Sequence, residues 1–321
     1  MKAKCSAGFD ADVDRLVRTS THLAARGIVA STKGYLQHAK IFYSYVDLAA
    51  HPVKPIDEAA RTGRTNVGGL KLFIDGSVSN RTAWMRGPYR DSSDQRGMRT
   101  AGDDDLAGAL KFARENKLQI ACHAMGDRAV EHVVEFYEDE EPWMGHYPSV
   151  RIEHASVLSD ELIDRIKAGR KDFGLVTNID FFFAEYDSYS QNLTDEQFSR
   201  AYPVRDLYER FEKSALSSDC PATTWNDPDN PFMSIQAAVT RRAYNGESIV
   251  PEQKVSVAQA LLMYTGRARL VSDFGGVGAI AEGREASFIT LSDDVFEIDP
   301  GRIIDTKVTG TWIAGEKVYA L

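Results

Sequence analysis

The chain has 321 residues, of which 43% are hydrophobic and 26% are charged, and its net charge is −9. An acidic balance lacks the basic face typical of nucleic-acid-binding proteins, and no run of about 18 to 20 apolar residues predicts a membrane span. The three cysteines, Cys5, Cys122 and Cys220, are scattered and do not describe a disulfide framework. We therefore expect a protein of a reducing compartment, the cytoplasm.

Apolar spacing predicts that helices and strands alternate along most of the chain. A helix is predicted over residues 10–26, then a strand over 28–32 and either a strand or a helix over 41–48. From residue 70 onward, short apolar runs typical of buried strands alternate with helical patterns. The later predicted strands cover 70–74, 119–124, 150–154, 173–179 and 215–219, and the predicted helices cover 103–116, 128–137, 159–166, 204–213, 231–242 and 256–269.

This alternation predicts an α/β fold with a parallel sheet and right-handed crossovers. The length suits a (β/α) barrel better than an open sheet, although only about six strand–helix units are apparent where a closed barrel has eight. After Asp273 a glycine-rich joint precedes short β segments separated by turns. We therefore predict an incomplete TIM-like barrel over residues 1–272 and part of a small β-sandwich over residues 273–321.

Two histidines stand at the ends of neighbouring predicted strands. His123 and His154 are one strand–helix unit apart, and strand ends of this kind meet at the rim where barrel enzymes keep their chemistry. Imidazole suits zinc and similar metals. Either histidine alone is more readily explained as a rim residue that binds nothing. Together with Asp219 on a later strand, they favour a metal site.

Other charged residues lie in or just after the predicted strands. Asp219 can complete a metal site or act as a base, and the alternative is a helix cap. Lys71 lies inside an apolar strand, where a lysine is costly to bury unless it is paired. Carbamylation by carbon dioxide would turn Lys71 into an anionic metal ligand, whereas the simpler alternative is a lysine that reaches the rim. Asp75, Arg81 and Asp127 are candidate substrate contacts, although rim charges often only pair with one another.

Several segments occur in a recognisable order. They are residues 69–77 with 81–83, then 123–129, 151–155, 218–221, 238–241, 278–288 and 311–319. Over residues 60–321 this set resembles the metal-dependent amidohydrolase superfamily, in the branch that includes N-substituted formamide deformylase. The resemblance implies a distorted TIM barrel flanked by a β-sandwich that is built from both chain ends.

The resemblance also implies a site and an activity. His123 and His154 would be metal ligands, Lys71 a carbamylated bridging ligand, and Asp219 a ligand or the acid/base. The family uses one or two divalent metals, usually zinc, to hydrolyse C–N bonds other than peptide bonds in amide-like small molecules. In that scheme Asp219 accepts the proton of the attacking water.

The sequence departs from the family in one respect. The family begins its barrel with a His-x-His pair, and no His-x-His occurs in this sequence. We therefore expect an N-terminally truncated barrel that lacks its first strands and holds one metal at most. The competing hypothesis is a catalytically inactive fragment or binding module. The expected partners are a small-molecule substrate and, through an exposed strand edge, a second copy of the chain, with no nucleic acid and no membrane.

Overall fold

Seven parallel strands form one sheet in the computed structural model, which describes residues 18, 21–28, 30–31, 38–45, 65–169, 173–222, 227–274 and 276–321. The strands are β1 (Ala30–Ser31), β2 (His38–Ser44), β3 (Thr65–Phe73), β4 (Gln119–Ala124), β5 (Val150–His154), β6 (Gly174–Thr177) and β7 (Ser214–Leu216). Their order in the sheet is their order in the chain, and every neighbouring pair is parallel. A sequential parallel order is that of a (β/α) barrel, because an open doubly wound sheet reverses its order part-way. The predicted α/β fold is confirmed, with seven strands instead of about six.

Helices follow most of these strands. They are α1 (Asp103–Asn116), α2 (Asp127–Tyr137), α3 (Asp160–Ala168), α4 (Ile179–Ala184), α5 (Tyr186–Asn192), α6 (Asp195–Ser199), α7 (Val204–Arg210), α8 (Pro231–Thr240), α9 (Val257–Tyr264) and α10 (Ala268–Val271). The start of α3 is fixed by Ser159, whose hydroxyl accepts a hydrogen bond from the Leu162 amide at 3.2 Å. No helix in the described ranges is both long enough and apolar enough to cross a bilayer.

The two faces of the sheet carry different residues. Leu70 and Leu72 on β3, Ile120 and Cys122 on β4, and Ile152 on β5 pack in one cluster with the apolar faces of α1 and α2. Because successive strand residues point to opposite faces, the alternate residues point into the barrel. On β3, β4 and β5 these interior residues are Lys71, Phe73, Ala121, His123, Arg151 and Glu153.

A second, antiparallel sheet lies near the end of the described chain. It contains β8 (Phe288–Leu291), β9 (Val308–Ile313) and β10 (Glu316–Ala320), with β9 in the centre. Residues 21–25 are helical and contact this sheet, since the Thr311 hydroxyl donates to the Ala24 carbonyl at 2.6 Å. This sheet falls within residues 273–321, and the division of the chain into two domains at that point stays a prediction.

Candidate metal centre

The rings of His123 and His154 lie side by side at the carboxyl ends of β4 and β5. Their centroids are 4.4 Å apart and their planes meet at 67°. Strand alternation alone would turn His154 toward the helices, as it turns its register partner Ala124. The backbone of His154 instead has a left-handed φ of +72°, which ends the alternation and brings its ring against His123.

The hydrogen bonding of His123 fixes its tautomer. Its Nε2 lies 2.8 Å from the carbonyl oxygen of Gly76, and since a carbonyl only accepts, Nε2 carries the hydrogen. The Nδ1 lone pair is then the one that can bind a metal, in the arrangement that metal-binding histidines commonly show. Burial, reinforced by the positive charge of Lys71, lowers the pKa of His123 to about 4. The imidazole is therefore neutral near pH 7, which is the form that binds metals.

His154 is buried, and its Nδ1 has no hydrogen-bond partner among the residues that the structure describes. Burial lowers its pKa well below the usual value, the charge of Lys71 and a proton on His123 act in the same direction, and the nearby Asn178 side chain opposes the shift. The ring of Phe181 stacks on His154 with centroids 5.7 Å apart. A buried polar atom without a partner needs an explanation, and a bound metal is one that imidazole chemistry supplies.

Lys71 and Asp219 approach the same part of the interior. The Lys71 side chain is partly buried, and burial lowers its pKa, with Glu153 and Asp219 opposing the shift. A lowered pKa increases the share of neutral amine, which is the form that reacts with carbon dioxide. The strand that was predicted to reach Asp219 ends three residues earlier, at Leu216. Asp219 itself has a left-handed backbone, with a φ of +46°.

The donor set fits a metal in part. No group of three His, Cys, Asp or Glu side chains is arranged to hold a metal within the ranges that the structure covers. The two imidazoles are placed together with suitable lone pairs, and Lys71 is the interior group that could add an anionic oxygen if it were carbamylated. The two histidines therefore fit part of a metal site, and a third ligand from a carbamylated Lys71 stays a prediction.

Asp75, predicted as a substrate contact, is held inside the protein. Its buried carboxylate accepts hydrogen bonds from the backbone amides of Trp84 (2.9 Å), Met125 (3.0 Å) and Gly126 (2.8 Å). Burial raises its pKa to about 7, although these three amides act in the opposite direction. A Cβ at Gly126 would lie 2.0 Å from the Trp84 carbonyl oxygen, so this close approach requires glycine. The geometry gives Asp75 a structural role, which is to tie the loop after β3 to the end of β4.

The other two predicted substrate contacts are also paired with protein. Arg81 donates its Nε–H to the Asn192 side-chain oxygen at 2.7 Å. Asp127 begins α2 and accepts from the Arg86 amide at 2.8 Å and the Arg128 amide at 2.9 Å. A role for these residues in binding substrate stays a prediction.

Sequence reasoning missed two interior residues. Arg151 is buried, forms an ion pair with Glu153, and lies with its guanidinium carbon 4.8 Å from the centre of the Phe42 ring. Phe73 ends β3, and its ring lies 5.2 Å from that of His123. Both could have been found by counting in steps of two from Lys71 and Glu153, because alternate strand residues share a face.

A cavity of about 200 Å³ lies apart from this centre, where residues 25–26 meet the C-terminal strands. It is lined by Ala25, Arg26, Asn230, Phe232, Thr306, Lys307, Val308, Tyr319 and Leu321. None of the candidate metal ligands lines it. The cavity is therefore not part of the candidate centre.

The sequential parallel sheet and the imidazole pair at neighbouring strand ends define a class, the (β/α) barrels that carry candidate metal ligands at the carboxyl ends of their strands. More specifically, the chain belongs to the amidohydrolase family, whose sequence profile matches residues 8–319. The resemblance drawn from the motifs is confirmed.

The relatives found by comparison with known proteins are longer than this chain. The amidohydrolase YtcJ of Bacillus subtilis is 32% identical over 256 residues, which are 78% of this chain and 47% of that protein. N-substituted formamide deformylase of Arthrobacter pascens is 25% identical over 206 residues, covering 63% of this chain and 36% of that enzyme. The chain thus spans between about a third and a half of the length of these two relatives.

Among solved structures, an uncharacterized metal-dependent hydrolase from Pyrococcus horikoshii OT3 superimposes with a TM-score of 0.70 at 24% identity. The match covers 89% of this chain and 55% of that one. At this level of identity the comparison supports the barrel fold, and it agrees with the strand order of the sheet.

Proposed function

We propose that this chain carries the site of a metal-dependent hydrolase that cleaves C–N bonds, other than peptide bonds, in amide-like small molecules. The observation that carries the proposal is the pair of neutral imidazoles whose centroids are 4.4 Å apart. The formamide deformylase among the relatives supports an amide or formamide-like substrate.

In this proposal the residues have distinct roles. His123 and His154 would hold a divalent metal, expected to be zinc, with Lys71 as a carbamylated third ligand. When bound, the metal would supply Lewis-acid chemistry at the substrate carbonyl. Asp219 accepts a proton from the attacking water and passes it to the departing amine nitrogen, so that amide and water yield acid and amine. Glu153 and Arg151 keep an ion pair close enough to Lys71 to act on its charge, Glu153 favouring the protonated amine and Arg151 opposing it.

The test measures metal and turnover together. Wild type, H154A and H146A are reconstituted with zinc, manganese or iron, dialysed, analysed for metal, and assayed on amides, formamides and lactones. We expect about one equivalent of metal in the wild type and in H146A, which changes an exposed histidine, and less than about a tenth in H154A. Wild type that retains less than about a tenth of an equivalent after reconstitution would overturn the proposal. Preferential turnover of lactones would replace C–N hydrolysis with ester hydrolysis.

One observation favours a second candidate, a catalytically inactive binding module. It is the lack, in the described part of the chain, of three His, Cys, Asp or Glu side chains arranged around a metal. A folded protein that neither retains metal nor turns over any member of the panel would support this candidate.

A further inference from the structure

Phe73 occupies an unusual position for an interior residue. It is the last residue of β3, pairs in register with His123, and shares the interior face with Lys71. Its side chain is nevertheless 50% exposed. Among the described residues, the pairing of β2 with β3 ends at Lys71, two residues before Phe73. The backbone there is held by the Thr100 hydroxyl, which donates to the Phe73 carbonyl at 2.6 Å.

Four rings contact one another in succession at the candidate centre. Phe73 lies 5.2 Å from His123, His123 lies 4.4 Å from His154, and His154 lies 5.7 Å from Phe181. Phe181 at one end is buried, whereas Phe73 at the other end is open. The Nζ of Lys71 is 5.6 Å from the centre of the Phe73 ring. Phe73 therefore presents an aromatic surface to solvent directly beside the groups proposed to bind metal.

Covering a half-exposed phenyl ring with an apolar group lowers the free energy, because both apolar surfaces leave water. We propose that Phe73 determines specificity, as the wall on which the apolar alkyl or aryl substituent of the substrate packs. The inference rests on the proposed function and names its substrate class, amides that carry an apolar substituent. The distance suits this contact. The first atom of an N-substituent is two bonds from the carbonyl carbon, and the Phe73 ring lies 5.2 Å from the His123 ring.

The test compares matched substrates. Metal-reconstituted wild type, F73A, F73Y and F296A are assayed on N-benzylformamide and N-methylformamide, and the ratio of the two kcat/KM values is the readout. We expect the ratio to fall about tenfold in F73A, because an aromatic contact is lost, and to stay unchanged in F73Y. F296A removes an exposed phenylalanine far along the chain and should also leave the ratio unchanged. An unchanged ratio in F73A, or an equal loss on both substrates, would overturn the inference while the proposed function stands.

A binding readout separates this inference from catalysis. Saturation-transfer NMR with metal-free protein and N-benzylformamide detects contact without turnover. Transfer to the benzyl protons in wild type and F73Y, with a several-fold loss in F73A, supports the contact even if no amide in the panel is hydrolysed. The absence of transfer in the wild type would overturn it. Inactivity of the reconstituted wild type on every substrate would count against the proposed function instead.

Discussion

His123 on β4 is tied to Gly76, in the segment that follows β3, by a hydrogen bond of 2.8 Å from Nε2–H to the carbonyl oxygen. This bond lets a buried imidazole stay neutral with one nitrogen satisfied. Burial, which this hydrogen bond opposes, makes the folded protein disfavour the proton that an unfolded histidine accepts with a pKa near 6.5. The pKa of His123 is lowered to about 4, by burial first and by the charge of Lys71 second.

A pH dependence of stability follows from this shift. A depressed histidine pKa contributes stability that is fully present above about 6.5 and is lost as the pH falls toward 4. We expect metal-free wild type to lose on the order of 2–3 kcal/mol more than H123Q over this window, because H123Q cannot titrate. Urea unfolding of both proteins at four pH values measures the difference, and carboxylates common to both cancel. If the free energies of unfolding of the two proteins changed equally with pH, His123 would titrate normally.

Carbamylation of Lys71 can be observed directly. We expect metal-loaded wild type in ¹³C-bicarbonate to show a carbamate carbon signal that is absent in K71Q, because partial burial lowers the pKa of the amine. The metal affinity of K71Q should fall by about tenfold or more. K254Q, which changes an exposed lysine, is the matched control. Equal metal binding by K71Q and wild type would remove Lys71 from the ligand set.

Replacing Asp75 should destabilise the fold even without metal. D75A leaves the amides of Trp84, Met125 and Gly126 without their acceptor in a buried place. We expect a loss of about 3 kcal/mol in the free energy of unfolding, since each unsatisfied buried donor costs about 1–3 kcal/mol and entering water recovers part of it. Chemical denaturation measures the loss, with D94A at an exposed aspartate as the control. A loss similar to that of D94A would contradict the structural role.

Arg241 is a second buried anchor, remote from the candidate metal. Its fully buried guanidinium donates to the carbonyls of Ile249 (2.6 Å), Tyr202 (3.0 Å) and Ala201 (3.3 Å). R241M would leave these carbonyls unpaired, and we expect it to lower the free energy of unfolding by about 3 kcal/mol. The adjacent R242M, at an exposed position, should change stability by less than about 0.5 kcal/mol. Equal denaturation midpoints for the two variants would show that the buried contacts contribute little.

The elements with strong patterns were predictable from the sequence. Strands β4 and β5 and helix α1 begin and end at the predicted residues, because a buried apolar run or an amphipathic face continues to each boundary. β2 was ambiguous between strand and helix, and for that reason the count of strands was too low. The predicted helix over 256–269 is split into α9 and α10 around Gly266.

The candidate site was predictable as a set of residues and only partly as a geometry. Strand ends identified His123 and His154, whereas the left-handed backbone that turns the His154 ring toward His123 leaves no signal in local composition. The pairing of Asp75 with three amides also could not be anticipated, because the donors are 9, 50 and 51 residues away along the chain. Such contacts depend on the register of neighbouring strands.

The backbone at His154 has a consequence for how this position would change under selection. A left-handed φ of +72° at a residue with a side chain costs about 1–2 kcal/mol, which glycine would not incur. A library of variants screened for thermal stability alone should therefore be enriched in glycine or asparagine at position 154. A screen for metal retention should instead keep histidine there. Position 154 would then show, in a single pair of screens, that stability and ligand placement favour different residues.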